Sequence, residues 1–348
     1  MPYVGRVPSA VPVTADDIPA NSIDASKIID GAIAVSDVAD NAITEAKIAD
    51  AAVVSLKSGR KNLIINGAMR VQQRGTASVT SGYFVDRFQL SGGSASAVLT
   101  SSTPTEFPTA ISVSATSGNP IVIQKIESES CQHLSGQTVT ASFYAKNISN
   151  ATTLYAKLAY AGSVDNFGSS TTISEQNLGA LSGSWVKYTA SWTVPSGGLN
   201  GLMLNILCDG TSTFTMGVTG IQLELGSVAT DFEHRSYGEE LALCQRYYWR
   251  LDRTAGGANT IATGSNFSAS IVVIFYPRVM RTSPTIAKVG TNYALYSNST
   301  SYGAASFIGT SSGTRQCRLL FALSGTRGHA FHLDLDNDDT YFTYDAEL

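Results

Sequence analysis

Three groups of residues in this sequence have types and spacings that could do chemistry. Trp185, Tyr188 and Trp192 recur along one short run of alternating apolar residues. Trp185 and Trp192 are seven positions apart, so on a strand their rings point to opposite sides. One of them could offer an aromatic face to a pyranose ring; the competing and commoner use of such rings is core packing. Tyr293, Tyr296 and Tyr302 lie in a stretch rich in Ser, Asn and Gly, GTNYALYSNSTSYGAAS. There Tyr supplies rigid contact area and Ser and Asn supply adaptable hydrogen bonds, the chemistry of a recognition loop. Ordinary turns and sandwich aromatics are the alternative. Asp334, Asp336 and Asp338 alternate like half a calcium loop, but the central Gly and distal Glu of an EF-hand are missing. A polar turn is the default there, and no metal is expected. His329 and His332 are three apart on a predicted strand and make a poor metal pair. There is no P-loop, and no cofactor or catalytic residue is expected.

These groups need a scaffold, and the composition indicates its kind. The chain has 348 residues, a formal net charge of −4 and 43% hydrophobic residues, enough to fill real cores. Only 14% is charged, and the 31 glycines come with many Ser and Thr. That mix favours short strands joined by turns over long surface helices. Mild acidity argues against a nucleic-acid partner. No apolar run reaches transmembrane length, so no membrane insertion is expected. The start, MPYVGRVPSAVPV, lacks the regions of a signal peptide, so release is expected by lysis or within a larger particle. Cys131, Cys208, Cys244 and Cys317 are few and far apart and read as free buried thiols.

The N-terminal part carries a regular grid. Ile18, Ile23, Ile28, Ile33, Val38, Ile43, Ile48 and Val53 follow one another at five-residue steps, and all are β-branched. Five residues of α-helix turn about 500°, so the set would spiral around a helix. On a strand, successive members would alternate faces. The residues before them alternate charged and small, Asp17, Ser22, Lys27, Ala32, Asp37, Ala42, Lys47, Ala52, which makes the unit a decapeptide. Several identical chains wound on one axis could bury every Ile and Val centrally. A disordered linker and a single-chain coil are the alternatives.

From Asn62 to about Arg235, short apolar runs alternate with turn residues, as in half-buried antiparallel strands: IVIQKI, TVTASFYAK, TLYAKLAY, WVKYTASWTV and LMLNILC. NLIINGAM (62–69), VDRFQL (85–90), SWVKYTASWTVP (184–195) and GIQLELGSVATDFEHR (220–235) resemble jelly-roll domains of carbohydrate-binding-module type. In that family the opening and closing motifs sit on strands that finish the sandwich. The continuation YGEELALCQRYYW (237–249), the stalk repeats, the start and MRTSPTI (280–286) resemble tail fibre proteins of podoviruses and myoviruses. Asp86 and Arg87, flanked by Phe84 and Phe88, read as a structural ion pair.

Ser236 and Glu239 form a capping-box pattern ahead of ELALCQRYYW, whose Leu241, Cys244, Tyr247 and Tyr248 lie at helical spacing. Strand patterns then resume to the end. The expected fold is all-β: an intertwined repeat stalk, a jelly-roll β-sandwich, a short helix and a C-terminal β-sandwich. Residues 1–16 would attach to the tail, 17–58 form the stalk, 59–236 the jelly roll, and 237–348 the helix and receptor-binding tip. The resemblance implies a homotrimeric virion fibre assembled in the host cytoplasm; the sequence itself implies only more than one chain. It also implies tail tube or adaptor partners at the N-terminus and a host-surface polysaccharide or lipopolysaccharide as receptor. The ligand-contact candidates are Tyr293, Tyr296, Tyr302, Trp185 and Trp192. The expected role is non-enzymatic adsorption, with a depolymerase tailspike, a purely structural fibre or adaptor, and a bacterial carbohydrate-binding module as alternatives.

Overall fold

The computed structural model describes residues 60–75, 78–92, 94–252, 259–266, 270–290, 293–297, 300–301, 306–322, 330–335 and 340–348. The chain divides into two units, Met1–Ala49 and Asp50–Leu348, and every described residue lies in the second. The attachment segment 1–16 and the stalk 17–58, with all eight grid residues, lie outside the described residues.

The described part is predominantly β. Its first body uses strands β1 (Gly82–Val85), β2 (Phe88–Ser91), β3 (Ser94–Thr100), β4 (Ala110–Ser117), β5 (Ile121–Ile126), β6 (Thr138–Ser163), β7 (Asn166–Ala180), β8 (Val186–Thr193) and β9 (Leu202–Leu225). β6 and β9 run for 26 and 24 residues, and each passes through both halves of the sandwich. One half, sheet A, has the order β1-β2-β5-β9-β6-β7. The other, sheet B, has the order β3-β4-β9-β6-β8. Register shifts between Asn147 and Leu154 mark the crossover on β6. The polar run NISNAT there breaks the apolar pattern, so 138–146 and 153–160 look like two strands in sequence. The bulges keep the backbone extended through it.

Alternation sends Val139, Ala141, Phe143 and Ala145 of β6 and Leu204, Ile206 and Cys208 of β9 into one core. The opening motif runs beside the closing one: Leu63 N donates to Leu223 O at 2.8 Å and Ile221 N to Gly67 O at 3.0 Å. Asn66 makes the turn that follows, with φ 61°, and its side-chain amide bonds both N and O of Val71. Gly67 is dictated by close approach, since a Cβ there would stand 2.0 Å from the Ile221 carbonyl oxygen. Gly67→Ala is expected to cost about 1–3 kcal/mol, as overpacking against backbone that cannot rotate away. An unchanged urea midpoint would show that the two segments can separate freely.

The helix spans Tyr237–Gln245, with Ser236 as N-cap accepting from Glu239 N. It ends before Tyr248 because Tyr248 opens the next strand. Glu239 pairs with Arg60, while Glu240 turns inward and accepts from Asn66 N at 2.5 Å.

The second body contains β10 (Tyr248–Leu251), β11 (Asn259–Asn266), β12 (Ser270–Phe275), β13 (Thr285–Val289), β14 (Tyr293–Ser297), β15 (Thr300–Ser301), β16 (Ser306–Ser312), β17 (Gln316–Ala322), β18 (Ala330–Leu335) and β19 (Tyr341–Asp345). They form a three-stranded sheet, β10-β19-β13, and a seven-stranded sheet, β15-β14-β18-β11-β12-β17-β16. Val272, Ile274, Leu319, Phe321, Leu333 and Phe342 are among its core residues. Trp249 stacks on Tyr344 with centroids 4.9 Å apart. All four cysteines are free and buried, and burial pushes the Cys131 and Cys208 thiols up to about 12.

The last residues join the two bodies. Glu347 pairs with Arg87, and with Arg74 at 3.2 Å. Lys125 Nζ and Tyr83 OH donate to the Leu348 oxygen at 2.6 and 3.0 Å. Arg281 donates to the Ala346 and Glu347 carbonyls. Asp86 and Arg87 are both buried, but they do not pair with each other as the sequence leads one to expect. Asp86 accepts from Gln73 N and Nε2, both at 2.7 Å. Adjacent residues in this turn point apart, so each finds a distant partner.

Candidate functional site

The two outer faces of the first sandwich differ in how their polar groups are satisfied. On sheet B, Gln222 and Glu224 point away from the core yet are fully buried. Segment 226–235 covers them. Glu224 accepts from Thr230 N at 2.8 Å and from its hydroxyl at 2.6 Å, and Glu233 N donates to Gln222 Oε1 at 2.8 Å. Thr140 donates to the Gly226 carbonyl at 2.7 Å. Phe107 adds an aromatic cover, packing on Tyr144, Phe232 and His234. This face is closed by the chain itself.

On the outer face of sheet A, Leu348 reaches Lys125, and Ile123, Asn205, Leu207 and Ala159 are buried while longer side chains around them are partly exposed. Directly paired residues share a face, so register lays out its surface. One cross-strand row reads Gln89, Ile123, Asn205, Lys157, Glu175. The row beside it reads Ser91, Ile121, Leu207, Tyr155, Asn177. On the other side, Lys125, Met203 and Ala159 are in register. The residues between these, Val122, Leu204, Ile206 and Leu158, belong to the core, which fixes the rows on the outside.

Asn205 stands at the centre of this surface. It is 1% exposed, and its Nδ2 has no hydrogen-bond partner. A buried amide left unpaired costs about 1–3 kcal/mol, so its presence calls for a reason. Its neighbours on the face are Ile123 and Lys157 across the strands and Met203 and Leu207 along its own. Lys157 and Met203 are long, unbranched and half-buried, so they can swing aside. Tyr155 is half-buried, and its hydroxyl bonds the Asp209 carboxylate, which raises the phenol's pKa. At the opposite end Phe167 is half-buried, with Lys125 Nζ 5.6 Å from its ring centroid. The surface thus combines an aliphatic floor, an aromatic ring at either end, and amide, ammonium and carboxylate groups between them. Such a mixture suits a polyhydroxylated ligand, whose CH faces need apolar contact and whose hydroxyls need partners.

The sequence-derived candidates fall elsewhere. Trp192 is 3% exposed, and its indole N–H donates to Ser174 O at 3.1 Å. It is a core residue, and its ring is inaccessible to a ligand. Trp185 lies just before β8 on the outside, half-buried against Gly217. Tyr293 pairs in register with Leu335, and Tyr296 with His332 and Ser301. Tyr302, His329, Asp336 and Asp338 lie outside the described residues. Asp334 is buried on β18. Among the described residues no three His, Cys, Asp or Glu side chains gather as a metal site, and no helix is long and apolar enough to cross a membrane. A G-x-S-x-G match at 309–313 falls on β16 and the turn after it, with no helix following as a nucleophile elbow requires. The signal for the sheet A face was present in LMLNILC, where one amide interrupts an apolar strand, and in TLYAKLAY, where Tyr155 and Lys157 alternate with core residues.

No protein-family profile matches the chain, and no curated protein matches it in sequence. Among solved structures it is similar to the enzymatically active domain of tailspike protein 4 of bacteriophage CBA120. That match has 18% identity over 47% of this chain and 21% of that one, with a TM-score of 0.34. It is also similar to TmCBM61 in complex with β-1,4-galactotriose, at 12% identity over 48% of this chain and 100% of that one, TM-score 0.33. A third is the CBM22-1 xylan-binding domain from Paenibacillus barcinonensis Xyn10C, at 12% identity over 49% and 100%, TM-score 0.33.

Proposed function

We propose that this chain is a non-catalytic subunit of a phage tail fibre. In this reading it attaches to the tail through its N-terminus and binds host-surface glycan on the outer face of sheet A. The observation that carries the binding site is Asn205, buried with its Nδ2 unpaired at the centre of this face. The fibre assignment rests on the sequence motifs and on the five-residue grid. Multivalency would supply the firmness of attachment: several modest sites on one particle gain through effective concentration.

Calorimetric titration of the full chain with polysaccharides from a host surface tests the site. A Tyr155→Ala, Lys157→Ala double variant is expected to weaken binding at least about tenfold, a loss of about 1.4 kcal/mol. Full retention of binding would remove the sheet A face from consideration. Sustained release of reducing ends during incubation would favour a depolymerase. Failure of excess protein to block virion adsorption would favour a structural fibre. For the stalk, Ile33→Asp is expected to dissociate the assembly or lower its melting temperature, because it places a charge where the grid predicts central burial. An unchanged sedimentation profile would count against that burial.

A further inference from the structure

The second body carries an apolar strip on the side of its seven-stranded sheet facing away from the core. Along β12, Val272 and Ile274 are buried, Ile271 and Val273 are half-buried, and Phe275 is 71% exposed. Leu320, half-buried, lies opposite Ile271 on β17, and exposed Arg318 lies opposite Val273. From Ile271 to Phe275 the strip runs about 13 Å at the usual rise of a strand. A Phe left this open at the end of a β-branched row is an unpartnered surface, whereas single exposed apolar residues elsewhere are ordinary.

We propose that this strip is a contact between copies of this chain. The inference rests on the multi-chain reading of residues 17–58. Magnitude decides the occupant. Four side chains fall well short of the roughly 1,000 Å² that a free-standing interface buries, so the strip cannot hold an independent partner firmly. A copy is different, because the stalk would already hold it nearby. Only seven positions separate Val53, the last grid residue, from Arg60, where the described residues begin. A short tether gives millimolar effective concentrations, enough for a small contact to close. Arg318 fits the edge of such a contact, since Arg is enriched at interfaces and keeps its head group hydrated there.

The test uses the full chain with Arg318→Cys, which leaves the apolar residues intact, and Val164→Cys as reference. Val164 is 68% exposed in the β6–β7 turn, and the four native thiols are buried. Sedimentation first establishes whether the chain assembles. In the assembly, the thiol of Arg318→Cys is expected to react with maleimide at least about tenfold more slowly than that of Val164→Cys. A short bismaleimide should join two copies through it. Adding Phe275→Ser should abolish both effects while the assembly persists on its stalk. Equal reactivity without cross-linking in an assembled chain would overturn the strip alone. A monomeric chain would overturn the stalk reading and the strip with it. Protection that arises only on adding glycan would overturn the copy contact and give the strip to the ligand.

Discussion

Replacing Glu347 with Ala should destabilise the protein by about 3–5 kcal/mol, the usual cost of removing one partner from a buried ion pair. Arg87 is 1% exposed, so water cannot replace the lost carboxylate. Burial disfavours the guanidinium's charge, and Glu347 is the largest of the neighbouring groups that together restore it. Without Glu347 the guanidinium would keep the Lys125 carbonyl and the Tyr247 ring, 3.5 Å from its centre, but no opposite charge of its own. The change also loosens the joint between the two bodies, because Arg74 pairs with the same carboxylate. Urea unfolding followed by tryptophan fluorescence measures the loss. A paired change, Arg87→Met with Glu347→Leu, should recover most of it, since apolar replacement of both partners is commonly neutral or better. A loss below 1 kcal/mol for Glu347→Ala would mean that the pair is hydrated in solution.

Asn205→Leu should separate binding from stability. Leu is close in volume and removes the unpaired amide, so stability should rise by about 1–3 kcal/mol. On the proposed function, glycan affinity should fall at least about tenfold, since the ligand loses the donor that Lys157 and Met203 would uncover by swinging aside. Denaturation and calorimetry on one preparation read both quantities. Higher stability with unchanged affinity would mark Asn205 as a packing residue and leave the sheet A face without its centre. Lower stability would mean that the amide has a partner in solution.

Local pattern made much of the fold legible. The short apolar run IVIQKI has the same bounds as β5, and the S-x-x-E pattern locates the helix start at Ser236. The helix end was not legible, because Tyr248 keeps helical spacing while tertiary pairing with Asp345 draws it into a strand. β7 was hidden for a different reason. Its Ser- and Thr-rich sequence lies mostly on the surface and carries little apolar period.

By itself the sequence determined the class of structure: strand periodicity, buried thiols, a capped helix, and a grid that no lone helix or strand can bury. These are properties of neighbouring residues, and a period of two or 3.6 needs only a short window. The ring pair Trp185 and Trp192 shows where that window closes. Spacing put them on opposite faces, as found, but only packing showed that Trp192 is the one that points inward. Tertiary structure alone joined Glu347 to Arg87, 260 positions away. It also surrounded Asn205 with groups that leave its amide unpaired. Both depend on which strands become neighbours, a choice made by the whole core and not by any local run of residues.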